Sequence, residues 1–397
     1  MSVVSSAEAV EPYRRLGFEV HVVPEPPMPE MNRTLPPLVQ RSRQLLARVQ
    51  HNVIEPLPGQ WEIVRQVLQD AAVDVIVTDP LFLGASMLTA TPRASRPAVI
   101  VLGFSAPWIP DPLVPPYGMG ISPTDVAANR IRAAAFELIA ARALALLSRS
   151  FNDAVHRTFG VRLHDDLRTS PALADVWAQL TVPRFEYPRA ALPGNFRFVG
   201  PLHPIAAEPV PEWWNPMDEP PVIAVRAESE TALRDLVVPT LRAFGDTENT
   251  IIVAGVTRAS AAATYPGALP GNVHFEDRLP WSRLLPQRTV VVSDGDYTHT
   301  QHALRSGIPL VLAGTLETDV ETAARVAWAS AGVDLRTSRP APEAIRTAVD
   351  HVLTDARYRA AAARIAAQIA NTDAENTICD LVEQSIPNGS GATIRPR

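Results

Sequence analysis

Short apolar runs of four to six residues, each followed by a stretch with apolar residues at three-to-four spacing, recur along this chain. That alternation limits the fold more than any other feature. A run that is apolar throughout must be covered on both faces, which is the condition of parallel strands joined by helices. In the first half the strands are Phe18–Val23, Val73–Thr78, Ala98–Leu102 and Phe196–Val199, with helices expected at Gly84–Thr91 and Asp125–Phe159. Between them, Phe104–Pro123 is rich in proline and aromatics and reads as an irregular apolar loop.

The second half is more regular. Val222–Val225, Thr250–Ala254, Asn272–Phe275, Thr289–Ser293, Pro309–Leu312 and Val333–Leu335 read as strands. Helical patterns fall at Glu230–Phe244, Thr298–Ser306, Glu321–Ser330, Pro342–Leu353 and Ala356–Ile369. This is a doubly wound α/β pattern, and such domains bind ligands at the carboxyl ends of their strands. Ile205–Pro221, with five prolines, four acids and Trp213-Trp214, reads as a linker. The expected organisation is thus 1–204, a linker at 205–221, a second domain at 222–374, and a final segment at 375–397 whose end is an unstructured tail.

Composition narrows the chemistry. A net charge of −6 disfavours a nucleic-acid partner. All 36 basic residues are arginine, so a Schiff-base or P-loop lysine is excluded. Cys379 is the single cysteine, which rules out an internal disulfide and thiolate metal clusters. No stretch reads as a secretory leader or a membrane span, and a soluble, cytoplasmic protein is expected.

Several segments carry a family resemblance. Asp74–Asp79 (DVIVTD) resembles a strand written DLVVsD, and Asn195–Leu202 (NFRFVGPL) is similar to a vrfvGPL segment. Gly271–Gln287 (GNVHFEDRLPWSRLLPQ) resembles a third segment, and Thr289–Leu335 follows a signature region without gaps. The chain is similar, over most of its length, to the nucleotide-sugar-dependent glycosyltransferases of family 1. The resemblance implies the GT-B fold, in which two Rossmann-like α/β domains face a cleft. It also implies a helix near Glu375–Gln384 that crosses back to the first domain. By resemblance the activity is transfer of a hexose or deoxyhexose, with inversion, from a nucleotide-diphosphate sugar to a hydroxyl of a lipophilic acceptor. No cofactor or metal is implied. Association with a membrane surface or a biosynthetic partner enzyme is compatible with such an acceptor.

At the donor site the sequence departs from the family. The signature HGGxGT, then Glu, GxP and Asp-Gln, is matched here by Asp294-Gly295-Asp296-Tyr297-Thr298-His299, then His302, Gly307-Ile308-Pro309 and Thr318-Asp319. In the family the histidine and glycines cradle a diphosphate at a helix N-terminus, where N–H groups and the macrodipole attract anions. Asp294 and Asp296 would fill that place, and Glu228 follows the strand facing it, with Arg226 as a neighbouring counter-charge. One like-charge contact at ~4 Å costs about 4 kcal/mol at an effective dielectric of ~20. Two would cancel the roughly 8 kcal/mol of micromolar binding. Donor binding is therefore expected to be impaired. Trp281 stands where the family usually has Gln, and Arg278 where plant members place a base-stacking tryptophan.

Met1–Val23 aligns with the part of the family that follows its first strand and the loop bearing the catalytic histidine. Ser5–Leu16 is expected to be a helix and the N-terminal domain to be incomplete. Asp79 falls where the family's histidine-orienting aspartate stands, without a histidine to orient. Asp294-x-Asp296 with His299 and His302 has the residue types of a metal site; an aspartate helix cap is the commoner arrangement, and no metal is expected. Trp108, Tyr117 and Met119 lie where the family shapes its acceptor pocket, and core packing accounts for them as well. Three readings stay open: an impaired transferase, an inactive homologue that binds a small molecule or a partner, and a reading frame begun too late.

Overall fold

β-branched and aromatic runs supply the strands, and their pairing sorts them into separate parallel sheets. The computed structural model describes residues 1–6, 10–23, 47, 49–123, 142, 145–163, 173–203, 221–227, 229–281, 284, 287–314 and 317–386. Glu228, linker residues 204–220 and the tail 387–397 lie outside them, as does much of the stretch read as a helix from Asp125.

In the first half, β1 (Ser2–Ser6) pairs in parallel with β2 (Glu19–Val23), and α1 (Val10–Arg15) connects them. The expected helix over Ser5–Leu16 is thus corrected: Ser5 and Ser6 close a strand, and the helix begins only at Val10. Pairing with β2 outweighs the weak helical pattern of the serines. A second sheet has the order β3 (Val75–Thr78), β4 (Ala98–Gly103), β5 (Val176–Gln179), β6 (Phe196–Phe198), all parallel. Helix α2 (Leu57–Asp70) precedes β3. β5 was not read from sequence, because Trp177 and Gln179 interrupt the aliphatic pattern.

The second half forms a six-stranded sheet from β7 (Val222–Arg226), β8 (Thr250–Ala254), β9 (Val273–Glu276), β10 (Thr289–Ser293), β11 (Leu310–Leu312) and β12 (Gly332–Asp334). Its order is β12-β11-β10-β7-β8-β9, with every pair parallel. This is the doubly wound order, with its switch point between β7 and β10. Alternate residues feed two cores. Ile223, Val225, Val290 and Val292 pack on one face, and Ala224, Val291, Leu310 and Leu312 on the other.

The sheet is covered by the expected helical run through Glu230–Ala232, Leu233–Val237 and Val238–Phe244, and by α3 (Arg258–Thr264), α4 (Tyr297–Arg305), α5 (Glu317–Trp328), α6 (Pro342–Thr354) and α7 (Ala356–Ile369). Helix α8 (Ala374–Ser385) packs Ala374, Ile378 and Leu381 against Ile100, Ala178 and Val199 of the first half. Gly200 marks that return: its φ is +88°, and a Cβ there would lie 2.1 Å from the Thr372 hydroxyl. Ala106, Val182 and Phe185 of the first half belong to the same buried cluster as Leu279, Tyr297 and Leu304, so the halves share one core face. Among the described residues, no helix is long and apolar enough to cross a membrane.

Candidate functional site

The switch point puts the end of β7, at Arg226, beside the end of β10, at Ser293, and the residues after β10 form the floor of the site. Gly295 turns the chain with φ +102°, and a Cβ there would press on the Asp319 carbonyl at 3.0 Å. Asp296 is then the N-cap of α4. Its Oδ1 accepts the His299 backbone N–H at 2.9 Å and meets His299 Nδ1 at 2.5 Å. The Asp296 N–H in turn donates to Asp294 Oδ1 at 3.3 Å. A carboxylate therefore lies at the helix start, where unpaired N–H groups attract an anion. Partial burial pushes the Asp296 pKa up, but the His299 hydrogen bonds outweigh it and hold the carboxyl below its ordinary range, with help from Arg226. Asp296 is a charged cap.

One helical turn on, His302 presents its ring to Trp281 at 6.0 Å and to His299 at 5.6 Å, edge-on in both cases. Burial, then the neighbouring His299, lowers its pKa to about 4, so it is neutral at pH 7. Among the described residues, no three His, Cys, Asp or Glu side chains stand together as a metal site. On the far side of the loop, buried Asp319 packs so close to Gly314 that a Cβ there would lie 2.5 Å from the Asp319 Cβ.

Arg226, Trp281, Asp294, Gly295, Asp296, His299, His302 and Asp319 are thus gathered around the β10–α4 turn. Thr298, Thr318 and Arg278 are exposed to solvent. Glu228 lies outside the described residues. Asp79 takes the Leu81 N–H at 2.6 Å and closes a turn after β3, with no histidine among its hydrogen-bond partners in the described residues. In the apolar loop, Trp108 stacks edge-on with Trp177 at 6.0 Å and Tyr117 at 6.4 Å, while Met119 is part-exposed. The space left beside Trp108 and Tyr117 is about 10 Å³. That is room for about one water molecule. In this structure Trp108 and Tyr117 are half-buried and pack against the buried clusters.

A cluster that sequence reading missed joins this loop to α5 and, through Glu186, to α4. Glu321 Oε1 accepts the Gly118 and Gly120 N–H groups at 3.0 Å each, and its Oε2 accepts Arg325 Nη1 at 2.7 Å. Arg325 Nε donates to Glu186 Oε2 at 2.8 Å, and Glu186 Oε1 accepts the Tyr297 hydroxyl at 2.8 Å. The guanidinium also lies 4.3 Å over the Tyr187 ring. Arg325, Glu186 and Glu321 are each no more than 3% exposed. Burial pushes the Arg325 pKa down, but the two carboxylates more than reverse it and keep the arginine charged. The signal in sequence was the Glu321–Arg325 spacing of four within an otherwise apolar helix face.

Comparison with known proteins places this geometry. Residues 239–384 match the C-terminal domain model of the erythromycin biosynthesis protein CIII-like family. The chain is 31% identical over 357 residues to UDP-glycosyltransferase 2 of Phaeomoniella chlamydospora, covering 85% of this chain and 77% of that protein. It is 31% identical over 346 residues to 4'-demethylrebeccamycin synthase of Lentzea aerocolonigenes, covering 83% and 78%. The glycosyltransferase of kitacinnamycin superposes with a TM-score of 0.67 at 18% identity, over 97% of this chain and 92% of that one. The calicheamicin glycosyltransferase CalG4 gives 0.64 at 18% identity, over 98% and 91%. These two structures share the fold, and the two relatives share the sequence along it. The chain belongs to the family 1 glycosyltransferases of the antibiotic type, with the GT-B fold.

Proposed function

We propose that this chain keeps the layout of a transferase moving a hexose or deoxyhexose from a nucleotide-diphosphate sugar to a lipophilic hydroxyl, with donor binding impaired by its own acids. Transfer requires positive potential where the leaving diphosphate sits and a base to take the acceptor proton. The observation that carries the reading is Asp296, whose carboxylate caps α4 at the place a diphosphate would occupy. Arg226 is the nearby counter-charge, and it already acts on Asp296.

A second reading, an inactive relative serving as a binding or auxiliary protein, is supported by Asp79. Its carboxylate holds the Leu81 backbone N–H, and among the described residues no histidine is hydrogen-bonded to it. Calorimetry with UDP and TDP tests the first reading. The expected dissociation constant is weaker than ~10 μM, or about 7 kcal/mol. Tighter, metal-independent binding would show that Asp294 and Asp296 do not compete with the phosphates. A chain that transfers sugar unmodified would sink both the impairment and the second reading.

A further inference from the structure

A groove of about 570 Å³ opens between the two halves, away from the β10–α4 turn. It lies where α5 ends and the chain enters β12, whereas the β10–α4 turn leaves the opposite, carboxyl edge of the same parallel sheet. The volume is that of a small-molecule site. One wall comes from the segment after β5, with Arg184 and Glu186, and the other from α5 and α7, with Trp328, Arg364, Ile365 and Gln368.

Three observations describe its chemistry. Arg184 and Arg364 are both exposed, and among the described residues neither forms an ion pair. Glu186, the carboxylate that lines the groove, is already committed to Arg325 and Tyr297 and does not neutralise them. Trp328 leaves 36% of its surface open and is held edge-on at 5.3 Å by Tyr187, so a fixed aromatic surface stands beside two free guanidinium groups. Gln368 Oε1 accepts the Arg184 backbone N–H at 2.9 Å, which ties the arginine-bearing segment to α7 across the groove. Planar guanidinium forks suit a carboxylate, and aromatic walls suit a ring.

We propose that this groove binds a small aromatic carboxylate, its ring against Trp328 and its acid group between Arg184 and Arg364. Because one arginine comes from each half, such a ligand would bridge them.

The test uses the full chain and 1-anilinonaphthalene-8-sulfonate as a fluorescent reporter. One saturable dye site is expected, displaced by 2-naphthoate and at least tenfold less well by uncharged 2-naphthol. The double variant Arg184→Gln, Arg364→Gln should weaken 2-naphthoate at least tenfold, and Trp328→Ala should weaken both compounds. Arg364→Gln alone, at an exposed helix position, should weaken 2-naphthoate at least threefold and leave 2-naphthol unchanged; it serves as the readout if the double variant does not fold. Equal competition by naphthol, or unchanged binding in the folded double variant, overturns the proposal. Displacement of the dye by UDP also overturns it, since that would put the dye at the β10–α4 turn. UDP binding measured in parallel should be the same in parent and variants, so failure here is separable from failure of the donor-site reading.

Discussion

Asp294 and Asp296 at the start of α4, and Glu186 and Glu321 around Arg325, are two pairs of acids, each set against backbone or hydroxyl donors. Solvent and counter-charge divide them. Asp296 keeps 46% of its side chain exposed and pairs with one histidine, so its charge is tolerated and its place could be taken by a ligand. Glu186 and Glu321 are sealed in, and among the described residues Arg325 is the cation that pairs with both. The first pair sits at a solvent-open helix start; the second is part of the structure that holds the loop at Gly118–Gly120 to α5. Side chains at a solvent-open helix start can thus change while the backbone keeps its shape, but a buried charge cannot change alone.

The largest effect should follow from breaking the buried set. Arg325→Met leaves two carboxylates without their counter-ion, and removal of one partner from such a set costs about 3–5 kcal/mol. Urea unfolding should show that loss. The stranded acids would have raised pKa values in the folded state, so the deficit should grow as pH rises and shrink in acid. The triple variant Glu186→Gln, Glu321→Gln, Arg325→Met should recover most of it. If Arg325→Met is as stable as the parent, the cluster is not the tie described above.

A smaller effect should appear beside the exposed pair. The His302 pKa is lowered from 6.5 to about 4, so between those values the unfolded chain binds more protons than the folded one. Its contribution is complete above pH 6.5 and is lost as pH falls toward 4. Allowing for partial exposure, the loss is about 1–2 kcal/mol. His302→Gln should flatten that part of the stability–pH curve relative to the parent. Curves of the same slope would mean that the ring is solvated and that Trp281 does not shield it.

Much of this molecule was legible as pattern. The strands Thr250–Ala254 and Thr289–Ser293 were read at their exact bounds, because uninterrupted β-branched runs between helices have few alternatives. Helix α3 at Arg258–Thr264 was missed, since Ala-Ser-Ala-Ala-Ala carries little periodicity. The Glu186–Arg325 contact spans 139 residues and leaves no local trace. Gly295, Gly307 and Pro309 marked the β10–α4 turn, and the Asp-Gly-Asp letters gave its charge. They did not show that Trp108 and Tyr117 would be packed, because an apolar loop reads the same whether it fills a core or lines a pocket.

The finest test changes side chains and keeps the turn. Asp294→His and Asp296→Gly remove two negative charges and reopen the start of α4, while His302→Glu returns a ribose acceptor by resemblance. Asp296→Gly gives up a helix cap, but glycine at that position costs only a few tenths of a kcal/mol. Asp319 is less free: it is 8% exposed and packs on Gly314, so Thr318→Asp and Asp319→Gln belong in a second, five-fold variant. The triple variant should bind a nucleotide sugar about tenfold tighter than the parent, or ~1.4 kcal/mol, by calorimetry. The five-fold variant should bind at least as well if the loop at Gly314 accommodates glutamine, and more weakly if that contact is rigid. Neither should transfer sugar, because Asp79 keeps its carboxylate on the Leu81 N–H and has no histidine among its hydrogen-bond partners in the described residues. A triple variant that binds no better than the parent would mean that the acids at 294 and 296 never held the diphosphate place. The contrast between a replaceable and a structural pair of carboxylates would then have to be redrawn around Arg226.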